Sequence, residues 1–246
     1  MQFTKFNIVS LILVVLVVLI MAGRIFNFLE IANYAWIVVF PLLTYLYFCH
    51  AKGRNIFFGF FLIAFSIVEI LKIIFDTSNA LAYYTANCLN IVAYASLVIF
   101  LVQDIKTERL FKEFKLHLFI LFVFNAYIIY VLNQMIMQDE DLVVNSIDFV
   151  IEVTYNVLIL LVLSLSLIHY LYHDSKQGLL LFLASVCIVF SEMVQVAYLF
   201  ISSAQLLHIS YSVLMGLGFY FLYIYIKIKH TEDKEMPTPM RKSSKL

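Results

Sequence analysis

Glu69 and Lys72 stand three residues apart inside one apolar run, and Glu192 stands in another with no Lys, Arg or His within a helical turn of it. An ionisable side chain inside a bilayer costs about 2.5–3.5 kcal/mol on insertion scales, so each is a candidate for chemistry. Other polar residues recur at helical spacing: Asn87, Asn90 and Tyr94; Asp148, Glu152, Tyr155 and Asn156; Ser191, Glu192 and Gln195; His208, Tyr211 and Ser212. Residues three or four apart share a helix face, so each set makes a polar stripe on an apolar helix. Two carboxyl groups framed by tyrosines and amides can run acid–base chemistry, one giving a proton while the other stabilises a cation or activates water. Plainer roles compete for the same residues. Glu69 and Lys72 can neutralise each other as an i, i+3 pair, Asp148 can be solvated near an interface, and His208 can cap a helix. Glu192 is the strongest candidate for chemistry, since its own helix offers it no cation.

The elements that must position these residues follow from composition. The 246 residues are 64% hydrophobic and 13% charged, with a mean hydropathy of +0.98. A soluble domain is about 45–50% apolar and about 25% charged, so the chain reads as an all-α integral membrane protein. Sixteen Lys and Arg balance sixteen Asp and Glu, which leaves no overall field for nucleic acid. Cys49, Cys88 and Cys187 lie in separate apolar runs and form no metal or disulfide framework. No cofactor is implied.

Eight segments suffice to span a hydrocarbon core of about 30 Å. They lie near 8–22, 33–49, 56–75, 86–103, 115–133, 147–172, 178–202 and 206–228. The first is short enough to resemble a signal peptide, but it lacks a small-residue cleavage site and reads as a retained helix. With the N-terminus inside, 14 of the 16 Lys and Arg fall on the cytoplasmic side. Arg24 alone falls outside, and Lys72 falls within a span. The expected organisation is therefore an eight-span domain over 1–230, both termini cytoplasmic, and a disordered tail over 231–246. Connections this short leave no room for a soluble domain, and a bacterial inner membrane fits them. In this orientation the polar stripes occupy the middle and outer half of the membrane, above apolar inner halves. One shared cavity, with a packed apolar floor, accounts for them.

The stretch Tyr47 to Glu69 matches Tyr170 to Glu192 at an offset of half the chain, pairing Tyr47 with Tyr170, His50 with His173 and Glu69 with Glu192. A 4+4 internal repeat is one reading of this match, and chance similarity in apolar sequence is the other.

Phe40-Pro41-Leu42-Leu43, Ser66 to Glu69, Tyr155, Ser191-Glu192 and Tyr211, together with the eight-span layout, resemble the YhhN-like membrane proteins, whose characterised members are lysoplasmalogenases. Family members typically carry Gly-Asp and Ser-Asp where this chain has Val68-Glu69 and Ser191-Glu192, and a Lys where it has Phe40. The resemblance implies hydrolysis of the vinyl-ether bond of a lysoplasmalogen-like membrane lipid, releasing a fatty aldehyde. On that reading Glu192 is the acid and Glu69 the base, with Lys72 as the counter-ion of Glu69. Asn90, Tyr155, Asn156, Gln195 and Tyr211 would orient water and the glycerol backbone, and Glu152 is a rival for either carboxylate role. The alternative is a non-catalytic protein that binds a lipid or hydrophobic ligand, or serves as a membrane-complex subunit. A proton-coupled transporter fits less well, because six Gly and a single intramembrane Pro leave little means of breaking helices.

Overall fold

The structure is a computed structural model that describes residues 2–26, 28–50, 54–74, 80–103, 105, 114–137, 146–201 and 204–235. Eight helices are formed among them: α1 (Gln2–Ile25), α2 (Leu29–His50), α3 (Ile56–Ile74), α4 (Ala80–Val102), α5 (Lys115–Ile136), α6 (Ile147–His173), α7 (Lys176–Phe200) and α8 (Gln205–Glu235). Seven of these are long and apolar enough to cross a membrane; the apolar run of α3, Ile56–Leu71, is shorter. The chain is thus a helical bundle of the kind that spans bilayers, where every backbone polar group must be satisfied within its own segment.

Local chemistry explains where the helices stop. Ser146 caps α6 by accepting from the Phe149 amide at 3.2 Å, and Ser175 caps α7 by accepting from Gly178 at 3.0 Å. Between α6 and α7 only Asp174 and Ser175 turn the chain, with Asp174 in the left-handed region at φ 42°. Short polar side chains such as Asp tolerate that conformation better than branched ones. Pro41 lies inside α2, where it removes one backbone donor. One turn on, Thr44 Oγ1 lies 2.8 Å from the Phe40 carbonyl and 2.8 Å from Ser66 Oγ, tying α2 to α3.

The helices pack in a cyclic order. α1 contacts α2, α2 contacts α3, α3 contacts α4, α4 contacts α6, and α6, α7 and α8 follow, with α8 closing back onto α1 and touching α2. α5 stands outside this ring against α6 and α7, and most of its surface is exposed. α7 and α8 approach closely: a β-carbon on Gly218 would lie 2.8 Å from Ile188 Cγ1, so glycine is what the packing there calls for. One half of the ring is filled with aromatic side chains, including Tyr47, Phe58, Phe61, Phe100 and Tyr225, all buried.

Several helices begin earlier or end later than the hydropathy pattern indicates. α1 runs on to Ile25 and α2 begins at Leu29, so the outer connection expected around Arg24 is mostly helical. Helical hydrogen bonding does not need an apolar residue at every position, so a hydropathy window underestimates a helix whose end is polar. α8 likewise continues to Glu235, five residues into the segment read as a tail.

Candidate functional site

Five helices of the ring bring polar side chains to one level. Glu69 comes from α3, Tyr94 from α4, Tyr155 from α6, Glu192 from α7 and Tyr211 from α8. Glu69 and Glu192 are buried, at 4% and 8% exposure. Glu192 lies about 12 Å from the end of its helix at 1.5 Å per residue, and Tyr211 about 9 Å from the start of the next. These ends belong to the same end of the bundle, because only four residues separate Phe200 from Gln205 along the chain.

The Tyr94 hydroxyl donates to Glu192 Oε1 at 3.4 Å. Tyr155 stands beside them, in the electrostatic field of Glu192 and next to Tyr94. The two phenol rings meet edge to face with centroids 5.4 Å apart. Tyr211 lies in the electrostatic field of both Glu192 and Glu69. Its ring packs 5.5 Å from that of Trp36 on α2. Beneath this group lies an aromatic floor: Phe40 stacks on Phe65 at 4.8 Å, Phe219 meets the edge of Phe40 at 4.8 Å, and Phe65 meets Tyr94 at 5.2 Å. Large rings on facing helices interlock here, which keeps water from below and fixes the tyrosines by packing.

Buried polar atoms without a protein partner occur on the helices that carry this cluster. Asn90 Oδ1 sits one turn from Tyr94 on α4, Asn156 Nδ2 is carried next to Tyr155 on α6, and Ser191 Oγ is carried next to Glu192 on α7. Buried polar groups are normally hydrogen-bonded, so an acceptor, a donor and a hydroxyl left over on three helices are capacity for water or a ligand's hydroxyls. Gln195, one turn beyond Glu192, is half-buried. Lys72 lies on α3, but its side chain is outside the described residues, and so is its pairing with Glu69.

Glu152 belongs to a second cluster nearer the start of α6. It accepts from the Tyr83 hydroxyl at 3.3 Å, with Asp148 and Asn87 close to Tyr83. The stripes on α4 and α6 therefore face each other along their length, and Glu152 is engaged about one turn away from the Glu192 group.

No protein-family model, curated protein or solved structure matches this chain.

Two features of the site go beyond the residues picked out by sequence. Tyr94 is visible in the α4 stripe, yet only its hydrogen bond across the bundle to Glu192 on α7 gives it a place in the site. Arg24, expected in an outer loop, is instead 9% exposed between α1, α2 and α8. One of its terminal nitrogens bonds His208 Nε2 at 2.8 Å and the other donates to Asn33 Oδ1. Its position as the single basic residue on the far side was the available signal. Among the described residues no group of three His, Cys, Asp or Glu side chains could hold a metal ion. The chemistry open to this arrangement is acid–base work by two carboxyl groups, framed by phenols and amides.

Proposed function

We propose that the Glu69–Glu192 group is the reaction centre of an intramembrane hydrolase acting on the vinyl-ether bond of lysoplasmalogen-like lipids. The observation that carries this reading is the Tyr94 hydroxyl donating to the buried Glu192, with Tyr155 beside Tyr94 and with Tyr211 in the electrostatic field of both Glu192 and the buried Glu69. The resemblance to YhhN-like proteins at Ser191-Glu192, Glu69, Tyr155 and Tyr211 supports it independently. The eight-span topology, with both termini in the cytoplasm of a bacterial cell, and the 4+4 repeat belong to the same proposal.

A vinyl ether is cleaved by adding a proton to the alkene carbon remote from oxygen, which leaves an oxocarbenium ion. A carboxyl whose Oε1 accepts from Tyr94 holds its transferable proton on Oε2, so the phenol orients the acid. When the proton leaves, the same contact becomes a charge-assisted hydrogen bond and strengthens as charge develops. Glu69, whose charge also reaches Tyr211, stabilises the cation and takes a proton from the attacking water. The hemiacetal formed collapses to a fatty aldehyde and the glycerol hydroxyl, and that proton is relayed back to Glu192. Asn90, Asn156 and Ser191 offer the water and the glycerol hydroxyls the partners they need.

The route has an isotopic signature. In deuterium oxide the proton added by Glu192 is a deuteron, so the released aldehyde carries one deuterium on the carbon next to the carbonyl. Mass spectrometry at early times reads this before slow enolisation adds more. Aldehyde released without that deuterium contradicts carbon protonation and the role of Glu192. A protein that binds the lipid and releases nothing fits the ligand-binding alternative.

A further inference from the structure

Arg24 is a permanent charge in a buried place. A guanidinium is not deprotonated in proteins, and it only donates hydrogen bonds. The Nε2 of His208 must therefore be the acceptor in their 2.8 Å contact, which makes His208 the neutral imidazole with its proton on Nδ1. Asn33 Oδ1, the other partner, is neutral as well. Arg24 Nε is buried with no partner at all. The surrounding rings are those of Tyr198, 5.2 Å from His208, and Tyr211, 6.4 Å from His208. Among the described residues no carboxylate faces Arg24, and a buried charge without a counter-ion is strongly disfavoured. The end of the α1 dipole supplies only about half a charge, spread over the last turn.

We propose that Arg24 anchors the phosphate of the lipid's headgroup, with Asn33 and His208 holding the guanidinium in place. This rests on the reading of the ring as an ether-lipid site and names the part of the lipid it recognises. The spacing fits. His208 and Tyr211 are three residues apart on α8, about 4.5 Å of rise, comparable with the three-carbon glycerol between the phosphate and the ether oxygen. A phosphate at Arg24 sets the ether bond one turn deeper, at Tyr211 and the two carboxyl groups. Arg24 is 9% exposed, and its buried Nε–H is a donor without a protein partner, open to a phosphate oxygen once the lipid seats.

The chain has one tryptophan, Trp36, packed 5.5 Å from Tyr211, so its fluorescence reports occupancy. The protein in a maltoside micelle, which carries no phosphate, is titrated with a hexadecyl-ether lysophosphatidylethanolamine, with hexadecylglycerol and with inorganic phosphate, and thermal unfolding is followed in parallel. The ligands contain no vinyl ether, so the result stands whether or not hydrolysis is ever observed. The phosphorylated lipid is expected to bind about 10- to 100-fold more tightly than hexadecylglycerol. Arg24→Gln removes this preference and Arg24→Lys keeps part of it. Asn33→Asp provides the missing carboxylate beside Arg24, so it raises the unfolding temperature and also removes the preference. That variant keeps the test alive if Arg24→Gln fails to fold. An unchanged preference in Asn33→Asp, equal binding of the two lipids by the wild type, or no binding of the phosphorylated lipid overturns the proposal. Inorganic phosphate alone saturating the site as well as the lipid does overturns the headgroup assignment in favour of a free anion.

Discussion

Tyr94 on α4 and Glu192 on α7 are 98 residues apart in the chain, and the phenol of one donates to the carboxyl of the other at 3.4 Å. Neither helix supplies both members of this hydrogen-bonded pair; the ring does. Tyr155 from α6 packs edge to face on Tyr94, 5.4 Å between centroids, so a third helix holds the phenol that bonds the carboxyl.

If the Tyr94 phenol orients the acid and stabilises its anion as charge develops, removing its hydroxyl weakens the reaction without emptying the site. Tyr94→Phe is expected to lower kcat for aldehyde release about 10- to 100-fold, the value of a hydrogen bond to a charged group, with KM little changed. Steady-state kinetics on the purified variant checks it; a change confined to KM would assign Tyr94 to binding alone.

Glu152 is bonded to Tyr83 in the cluster with Asp148, a turn away from Glu192. Glu152→Gln keeps the shape and the acceptor oxygen, so activity should stay within about fivefold of wild type, on the order of 1 kcal/mol of transition-state stabilisation. A loss as deep as that of Glu192→Gln would make Glu152 the second carboxylate in place of Glu69.

The tie between Thr44 and Ser66 holds α2 against α3, three residues before Glu69. A double-mutant cycle of Thr44→Val and Ser66→Ala should give a coupling of about 0.6 to 1.7 kcal/mol, the range for hydrogen bonds between membrane helices. Unfolding titrations in mixed micelles measure it, and additive single effects would show that the pair contributes nothing of its own.

Gly216 and Gly218 both mark close approaches of α8, but their neighbours differ. A β-carbon at Gly216 would come within 2.9 Å of the tip of Met21, which can swing away, whereas at Gly218 it meets Ile188 Cγ1 at 2.8 Å, with the Ala184 carbonyl at 3.5 Å. Gly218→Val should therefore destabilise by about 1–3 kcal/mol and Gly216→Val by clearly less. Thermal unfolding of the two variants side by side decides the order.

The helices, their order and their polar stripes were legible in the sequence because hydropathy and a 3.6-residue period report directly on them. Glu192, Glu69 and Tyr155 stood out for the same reason: each is a polar exception on an apolar face. What periodicity does not contain is which face meets which. The position of α5 outside the ring and the meeting of Tyr94 with Glu192 depend on packing between distant segments. Arg24 was misread as a loop residue because the ends of α1 and α2 are polar enough to end a hydropathy window, though not the helix. Its burial depends on Asn33 and on His208, 184 residues away.

The central claim is that Glu69 and Glu192 act together on a vinyl ether. Release of fatty aldehyde from a lysoplasmalogen should be measured for the purified protein beside Glu69→Gln and Glu192→Gln, each confirmed to be folded by its unfolding temperature. Aldehyde is expected from the wild type, with a loss of at least about a hundredfold in each variant, the scale of general acid–base catalysis. No aldehyde from a folded, monodisperse wild type, or full activity in either variant, would contradict it.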